Sequence, residues 1–136
     1  MKHVILGAGP AGVIAAETIR KHAPADEIVI VGDEPEAPYS RMAIPYLLQG
    51  SIGEAGTHLR HAPNHYEALG IQLKRNRAVR VDAAAKTVTM DDGGVHGFDR
   101  LLITVHPSGC YAARAFIQRY LAEAVQTEGL SAAARS

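Results

Sequence analysis

The feature that most constrains this chain is a run of glycines near its N-terminus, Gly7-Ala-Gly-Pro-Ala-Gly12. An apolar segment with β-branched residues, His3 to Leu6, comes directly before it. After it, from Pro10 to His22, apolar residues recur at helical spacing with charged residues between them. A strand that passes through closely spaced glycines into a helix is typical of a dinucleotide-binding turn.

The three glycines of this run have separate physical tasks. Gly7 allows the tight turn, Gly9 lets the backbone approach a pyrophosphate, and Gly12 lets the helix pack closely on the strand. The helix N-terminus then offers N–H groups and positive charge to the phosphates. A second strand, residues 27–31, is almost continuously apolar, which predicts burial on both faces in a parallel sheet. It is followed by Asp33, which lies 21 residues beyond Gly12. This is the spacing expected for a carboxylate that binds an adenosine ribose.

The rest of the pattern predicts an α/β fold: a Rossmann-like three-layer parallel sheet with an antiparallel β-meander, plus a C-terminal helix. Short helices are predicted at residues 44–49 and 63–69, with a loop at 50–56 between them. Strands are predicted at residues 71–73, 78–82, 87–90, 95–98 and 101–105. Asp91-Asp-Gly-Gly94 predicts the turn of a hairpin.

The composition excludes several classes of protein. Fourteen basic and fourteen acidic residues balance, so no nucleic-acid partner is expected, and no apolar run is long enough for a membrane span. A single cysteine and no secretory signal favour a cytoplasmic protein. His58, His61 and His65 have helical spacing, but Pro63 interrupts that face, and no metal site is expected.

The chain resembles the FAD-binding start of pyridine nucleotide-disulfide oxidoreductase-like flavoproteins. The resemblance rests on residues 4–12 (VILGAGPAG), 30–35 (IVGDEP) and 38–41 (PYSR), and on the segments 66–71 and 98–103. It is similar to the branches that contain ferredoxin reductases of oxygenase systems and the flavin domain of NADH-dependent nitrite reductase. The resemblance covers residues 2 to about 103, roughly three quarters of the chain.

The resemblance implies FAD as the cofactor and assigns residues to it. Gly9 and Ala11 would face the pyrophosphate, and Asp33 would bind the ribose. Arg41 would lie near the pyrophosphate or the ribityl chain, and the backbone of Val79 would face the adenine. The complete implied cofactor-binding set is Gly7, Gly9, Pro10, Ala11, Gly12, Asp33, Glu34, Arg41 and Val79, with no catalytic residue among them.

Three segments depart from the family pattern. Met42-Ala-Ile-Pro45 stands where thiol-dependent members have a cysteine, so no disulfide-reductase chemistry is expected. Tyr46 stands close to where the branch that reduces iron–sulfur proteins has a lysine. Thr104-Val-His106 replaces the usual Ala-Thr-Gly, and the larger Val105 and His106 are expected to crowd the cofactor.

The sequence predicts a partial FAD-binding domain at residues 1–105 and a tail at 106–136 that does not resemble the family. An amphipathic helix at 110–127 in that tail is predicted to cover apolar surface either of its own chain or of a partner, and homodimerisation through this helix is one hypothesis. The first hypothesis is a truncated FAD-binding part of an NAD(P)H-dependent oxidoreductase, which would use NAD(P)H only with domains missing here. The alternatives are a non-catalytic adenine-nucleotide-binding or interaction module, and direct binding of NAD(H), which Asp33 would favour over NADP.

Overall fold

The computed structural model describes residues 1–105, which fall into two compact units. Its helices and strands, in chain order, are β1 (Lys2–Leu6), α1 (Pro10–His22), β2 (Glu27–Gly32), α2 (Ile44–Leu48), α3 (His65–Ala68), β3 (Ile71–Arg75), β4 (Ala78–Asp82), β5 (Thr87–Met90), β6 (Val95–Gly97) and β7 (Arg100–Ile103). The first unit comprises Met1–Arg77 and Phe98–Val105, and the described part of the second is Ala78–Gly97.

A four-stranded parallel sheet organises the first unit, in the order β3-β2-β1-β7. In this register Leu6 lies opposite both Val31 and Ile103, so the carboxyl ends of the strands meet at one edge. From β1 the chain crosses through α1 to β2 on one side, whereas β7 lies on the other side. The strand order therefore changes direction between β1 and β7, and ligands of parallel sheets bind at such a switch point.

The core of the first unit confirms that the second strand is buried on both faces. Ile28, Val29, Ile30 and Val31 are each at most 4% exposed, which is the burial that a continuous apolar run predicts for a central parallel strand. One face packs against α1 in a cluster made by Ile5, Val13, Ala16, Ile28, Ile30 and Ile71. This packing fixes where α1 begins relative to the sheet edge.

The described part of the second unit is an antiparallel meander of β4, β5 and β6. Its turn is the predicted one: Gly93 has a φ of +82°, and the Asp92 carboxylate accepts a hydrogen bond of 2.9 Å from the Gly94 N–H. Val81, Val88 and Met90 form its buried side. The pairing of β4 with β5 slips by one residue between Ala78 and Arg80.

Most predicted elements are confirmed, and the differences have local causes. The helix predicted at 63–69 is shorter in the structure, His65–Ala68. Asn64 is its N-cap, and the chain leaves the helix at Gly70, which has a φ of +62°. The predicted loop at 50–56 contains a 3-10 turn, Glu54–Thr57, in which the Thr57 hydroxyl donates to the Glu54 carbonyl. The tail beyond Val105, with the predicted 110–127 helix, lies outside the described residues.

No helix within residues 1–105 combines the length and apolar character required to cross a bilayer.

A polar cluster joins α1 to the segment that leads into α3. Both Glu17 carboxylate oxygens accept hydrogen bonds from the Arg60 guanidinium, at 2.7 and 2.6 Å, and one of them also lies 2.7 Å from His65 Nε2. These bonds, above all those from Arg60, hold the pKa of the Glu17 carboxyl below its usual value although partial burial opposes the shift. The carboxylate thus stabilises the folded chain while it is ionised.

We expect Glu17→Gln to lower the free energy of unfolding at pH 7 by about 1–3 kcal/mol, because it leaves the Arg60 guanidinium poorly paired. The pKa of Glu17 is lower in the folded chain, so its contribution is complete above the unfolded-state value and is lost as the pH falls through the folded-state value. Urea titrations across the acid range should therefore show the two proteins converging below about pH 4. Glu67→Gln, at an exposed α3 carboxylate, is the control and should differ little at any pH.

Candidate functional site

The turn between β1 and α1 has no room for side chains at its first glycine. Gly7 has a φ of +116°, and its N–H donates to the Val31 carbonyl at 2.8 Å. A Cβ at this position would lie 2.7 Å from the Thr104 hydroxyl oxygen. Residue 7 must therefore be glycine both for its backbone angles and for the space around it.

The last glycine of the run is restricted even more strongly. A Cβ at Gly12 would lie 2.0 Å from the Gly7 carbonyl oxygen, which is far inside any non-bonded contact. Gly12 is buried on the first turn of α1, so this approach brings the helix directly against the end of β1. The structure thus supports the packing role that the sequence predicts for this residue.

The middle glycine differs from the other two because it faces open space. A Cβ at Gly9 would meet no atom of residues 1–105 within 4 Å, and the residue has ordinary backbone angles, with a φ of −81°. Within residues 1–105, the N–H groups of Gly9 and Ala11 have no hydrogen-bond acceptor. Pro10, at the start of the helix, has no N–H to satisfy. The opening is therefore lined by backbone donors and is suited to an anion.

The first turn of α1 itself adds no negative charge at this helix start. This first turn contains no acidic residue, and the basic residues Arg20, Lys21 and His22 lie in the last turn of the helix. The N–H groups and the helix dipole therefore make the opening electropositive.

Asp33 lies one residue past the end of β2, at the same edge of the sheet as the glycine turn. Its side chain is exposed, and no hydrogen bond or ion pair to its carboxylate is found in the described chain. Gly32 directly before it brings β2 close to the turn, since a Cβ there would lie 2.9 Å from the Ala8 Cβ. The carboxylate is thus available to a ligand hydroxyl beside the glycine turn.

Glu34 and Arg41 are brought together, although they are seven residues apart in the chain. The Arg41 guanidinium donates to the Glu34 carboxylate, and the Tyr39 hydroxyl also bonds to it. Tyr39 first, and then Arg41, hold the pKa of the Glu34 carboxyl below its usual value. The Arg41 side chain nevertheless remains 60% exposed. Sequence reasoning did not identify Tyr39, because a tyrosine in a proline-rich loop has no diagnostic spacing.

Thr104 is a second residue that the sequence analysis did not place in the site. It follows β7, and its hydroxyl lies 3.1 Å from the carbonyl oxygens of both Leu6 and Gly7. Its N–H donates to the same Leu6 carbonyl at 2.8 Å. Val105 is half-buried, and His106 lies outside the described residues, so the expected crowding of the cofactor by this pair stays a prediction.

Val79 belongs to the second unit. It lies where the β4–β5 pairing slips, between Ala78 and Arg80, and its side chain is 47% exposed. A residue at such a slip has backbone groups that fall outside the regular ladder. The assignment of its backbone to an adenine remains a prediction.

The histidines do not assemble into a metal centre in the described part of the chain. No group of three or more metal-binding side chains is found among residues 1–105. His65 instead bonds to Glu17 in the polar cluster at α1.

Comparison with known protein families gives one match over most of the chain. Residues 1–106 match the family model described as pyridine nucleotide-disulphide oxidoreductase. This range includes the glycine turn, Asp33, Arg41, the meander and the end of β7.

Individual relatives share the same region. The chain is 36% identical over 103 residues to the ferredoxin–NAD(+) reductase component of the p-cumate 2,3-dioxygenase system of Pseudomonas putida, covering 75% of this chain and 25% of that protein. It is 36% identical over 91 residues to an NADH oxidase of Methanocaldococcus jannaschii, covering 67% of this chain and 18% of that protein. The chain thus spans a quarter or less of the length of these two relatives.

Solved structures agree with the fold. The chain is similar to the structure of the covalent putidaredoxin reductase–putidaredoxin complex, with a TM-score of 0.70, 26% identity, and coverage of 84% of this chain and 29% of that one. NADH:rubredoxin oxidoreductase from Clostridium acetobutylicum gives a TM-score of 0.68 at 27% identity, with coverage of 75% and 26%. In both comparisons this chain corresponds to under a third of the larger structure.

The steric difference between the glycines gives a direct test of the turn. We expect Gly12→Ala to lower the free energy of unfolding by more than about 2 kcal/mol. The added methyl group would clash with a backbone carbonyl, which can move only if the helix or the strand shifts. Gly9→Ala should cost less than about 1 kcal/mol, the difference between glycine and alanine at a helix N-cap. Urea unfolding of both variants measures the decrease in the free energy of unfolding, and equal decreases would contradict the steric difference between Gly12 and Gly9.

Proposed function

The chain belongs to the pyridine nucleotide-disulphide oxidoreductase family, and from that premise we propose that residues 1–105 bind FAD through its ADP half. In this proposal they form the cofactor-binding part of an NAD(P)H-dependent flavoprotein oxidoreductase. The glycine turn takes the pyrophosphate, and Asp33 takes the adenosine ribose. Family membership supports the class of cofactor, and the geometry of the turn supports the individual residues.

The observation that carries this proposal is the opening above Gly9. Among the residues that the structure describes, it combines N–H groups without acceptors at Gly9 and Ala11, no side chain within 4 Å of the Gly9 Cβ position, and the electropositive start of a 13-residue helix. The opening also lies beside the switch point between β1 and β7. A pyrophosphate needs hydrogen-bond donors, positive potential and close backbone approach, and the opening meets all three needs.

The side chains near the end of β2 fit the other parts of the ligand. The exposed Asp33 carboxylate accepts hydrogen bonds, as binding to a ribose diol requires. Arg41 supplies a positive charge, and the Glu34 carboxylate holds it in a defined position while the side chain stays 60% exposed. We assign Arg41 to the phosphates or the ribityl chain, since a planar guanidinium binds phosphate oxygens by paired hydrogen bonds.

Bound FAD would supply the hydride and electron chemistry, and the protein would bind and orient it. Relatives of this chain are an NADH oxidase and a ferredoxin–NAD(+) reductase component, but it spans only 18% and 25% of their lengths. We therefore assign cofactor binding, and no hydride-transfer residue, to residues 1–105. Turnover with NAD(P)H requires elements that correspond to the remainder of those relatives.

Titration of the purified protein with FAD tests the proposal. We expect saturable binding, seen as a shift of the visible flavin absorbance and quenching of flavin fluorescence. ADP should displace FAD because it contains the same pyrophosphate and ribose, whereas FMN, which lacks the ADP half, should not. Gly9→Val should remove binding while far-ultraviolet circular dichroism stays unchanged, because the new side chain fills the opening without meeting the protein. Saturable FAD binding by Gly9→Val would contradict the placement of the pyrophosphate.

The ribose assignment has its own test at Asp33. We expect Asp33→Asn to weaken FAD binding by about 1–3 kcal/mol, the cost of losing a charged hydrogen-bond acceptor for the ribose hydroxyls. The matched control is Asp91→Asn, which neutralises an equally exposed carboxylate in the hairpin turn of the second unit. The two dissociation constants should be measured at the same ionic strength. An equal effect of both variants would mean that Asp33 acts only through net charge.

A further inference from the structure

We propose that Thr104 is a positioning residue for the pyrophosphate-binding turn, acting through its hydroxyl group. This inference rests on the proposed binding of FAD, which it deepens by assigning a residue that touches the turn rather than the ligand. It concerns a position at which the sequence departs from the small residue usual for the family.

The hydroxyl lies where the strand β1 becomes the turn. Its oxygen is 3.1 Å from the Leu6 carbonyl oxygen and 3.1 Å from the Gly7 carbonyl oxygen, so its single hydrogen is shared between two acceptors. The backbone N–H of Thr104 donates to Leu6 as well, at 2.8 Å. The residue that directly follows β7 thus bonds to two successive carbonyl groups at the carboxyl end of β1.

The same oxygen also lies against both of the restricted glycines. It is 2.7 Å from the Cβ position of Gly7 and 2.9 Å from that of Gly12. Glycine at positions 7 and 12 therefore makes room for the Thr104 hydroxyl as well as for the close packing of helix on strand. A hydroxyl in this space has a function that a methyl group of the same size cannot provide, since the groups facing it are carbonyl oxygens.

Fixing the Gly7 carbonyl also fixes the direction of the next N–H group. The peptide bond between Gly7 and Ala8 is planar and trans, so the Ala8 N–H points away from the carbonyl that Thr104 holds. The orientation of the Gly7–Ala8 peptide then determines the direction in which the turn continues toward Gly9. Thr104 also joins the two sides of the switch point, because β7 and the β1–α1 turn approach each other there.

The test compares Thr104→Val, which replaces the hydroxyl by a methyl group, with Thr104→Ser, which keeps it. We expect the dissociation constants of FAD and of ADP to rise by the same factor in Thr104→Val, about three- to tenfold for the loss of one hydrogen bond. Thr104→Ser should stay within about twofold of the unaltered protein. Thr18→Val is the control, because it removes a hydroxyl-to-carbonyl bond of 2.7 Å from α1 that does not involve the turn, and FAD affinity should not change.

A measurement without ligand separates this inference from the proposed function. We expect amide hydrogen exchange in Thr104→Val to become faster at Gly7, whose N–H bonds to Val31, and at Thr104 itself, with no change at the core residue Ile30. Unaltered protein that binds neither FAD nor ADP would overturn the proposed function. FAD binding by Thr104→Val at full affinity, an equal loss in Thr104→Ser or Thr18→Val, or unchanged exchange at Gly7 would overturn the role of Thr104.

Discussion

The close approach of α1 to the carbonyl group of Gly7 sets the positions of the helix, the glycine turn and the adjoining edge of the sheet. A Cβ at residue 12 would stand 2.0 Å from that oxygen, so only glycine permits the contact. The contact determines where the helix begins, and the beginning of the helix determines where its N–H groups point. Burial of Val13 and Ala16 against Ile5, Ile28 and Ile30 then holds the helix in this position. Hydrophobic packing thus stabilises an arrangement whose geometry is set by the absence of a side chain.

The glycine turn combines tightly packed and open positions within six residues. Gly7 and Gly12 face protein atoms, whereas Gly9 has no neighbour within 4 Å of its Cβ position in the described part of the chain. A dinucleotide site must present its backbone without losing its shape, and this division meets that need: the outer positions are held tightly, and the middle one stays accessible. A glycine also determines the position of Asp33. Because Gly32 has no side chain, β2 can approach Ala8, and the Asp33 carboxylate lies beside the turn.

Much of this arrangement could be predicted because it is encoded locally. Glycine spacing and helical periodicity predicted α1 from Pro10 to His22, as the structure has it, and continuous apolar character predicted the burial of β2. The contributions of Tyr39 and Thr104 could not be predicted in this way. Each acts on a partner that only the folded chain brings near, and the hydroxyl of Thr104 reaches residues 97 and 98 positions earlier. The helix α3 was predicted too long, and the 3-10 turn at Glu54–Thr57 was missed, because local turn geometry determines the backbone in both segments.

The pairing of β7 with β1 has a consequence for the order in which the chain folds. Lys2 and Asp99 exchange two hydrogen bonds, and β7 then continues along β1 to Thr104, so the first strand finds this neighbour only after about a hundred residues have been made. Contacts between residues so distant in sequence form slowly, because closing a long loop lowers the chain entropy before favourable contacts can offset that loss. On the ribosome, β1, α1 and β2 emerge early, but the edge of the turn on the β7 side stays open. The proposed nucleotide site is therefore completed among the last features of this unit, although its sequence motif is the first to be synthesised.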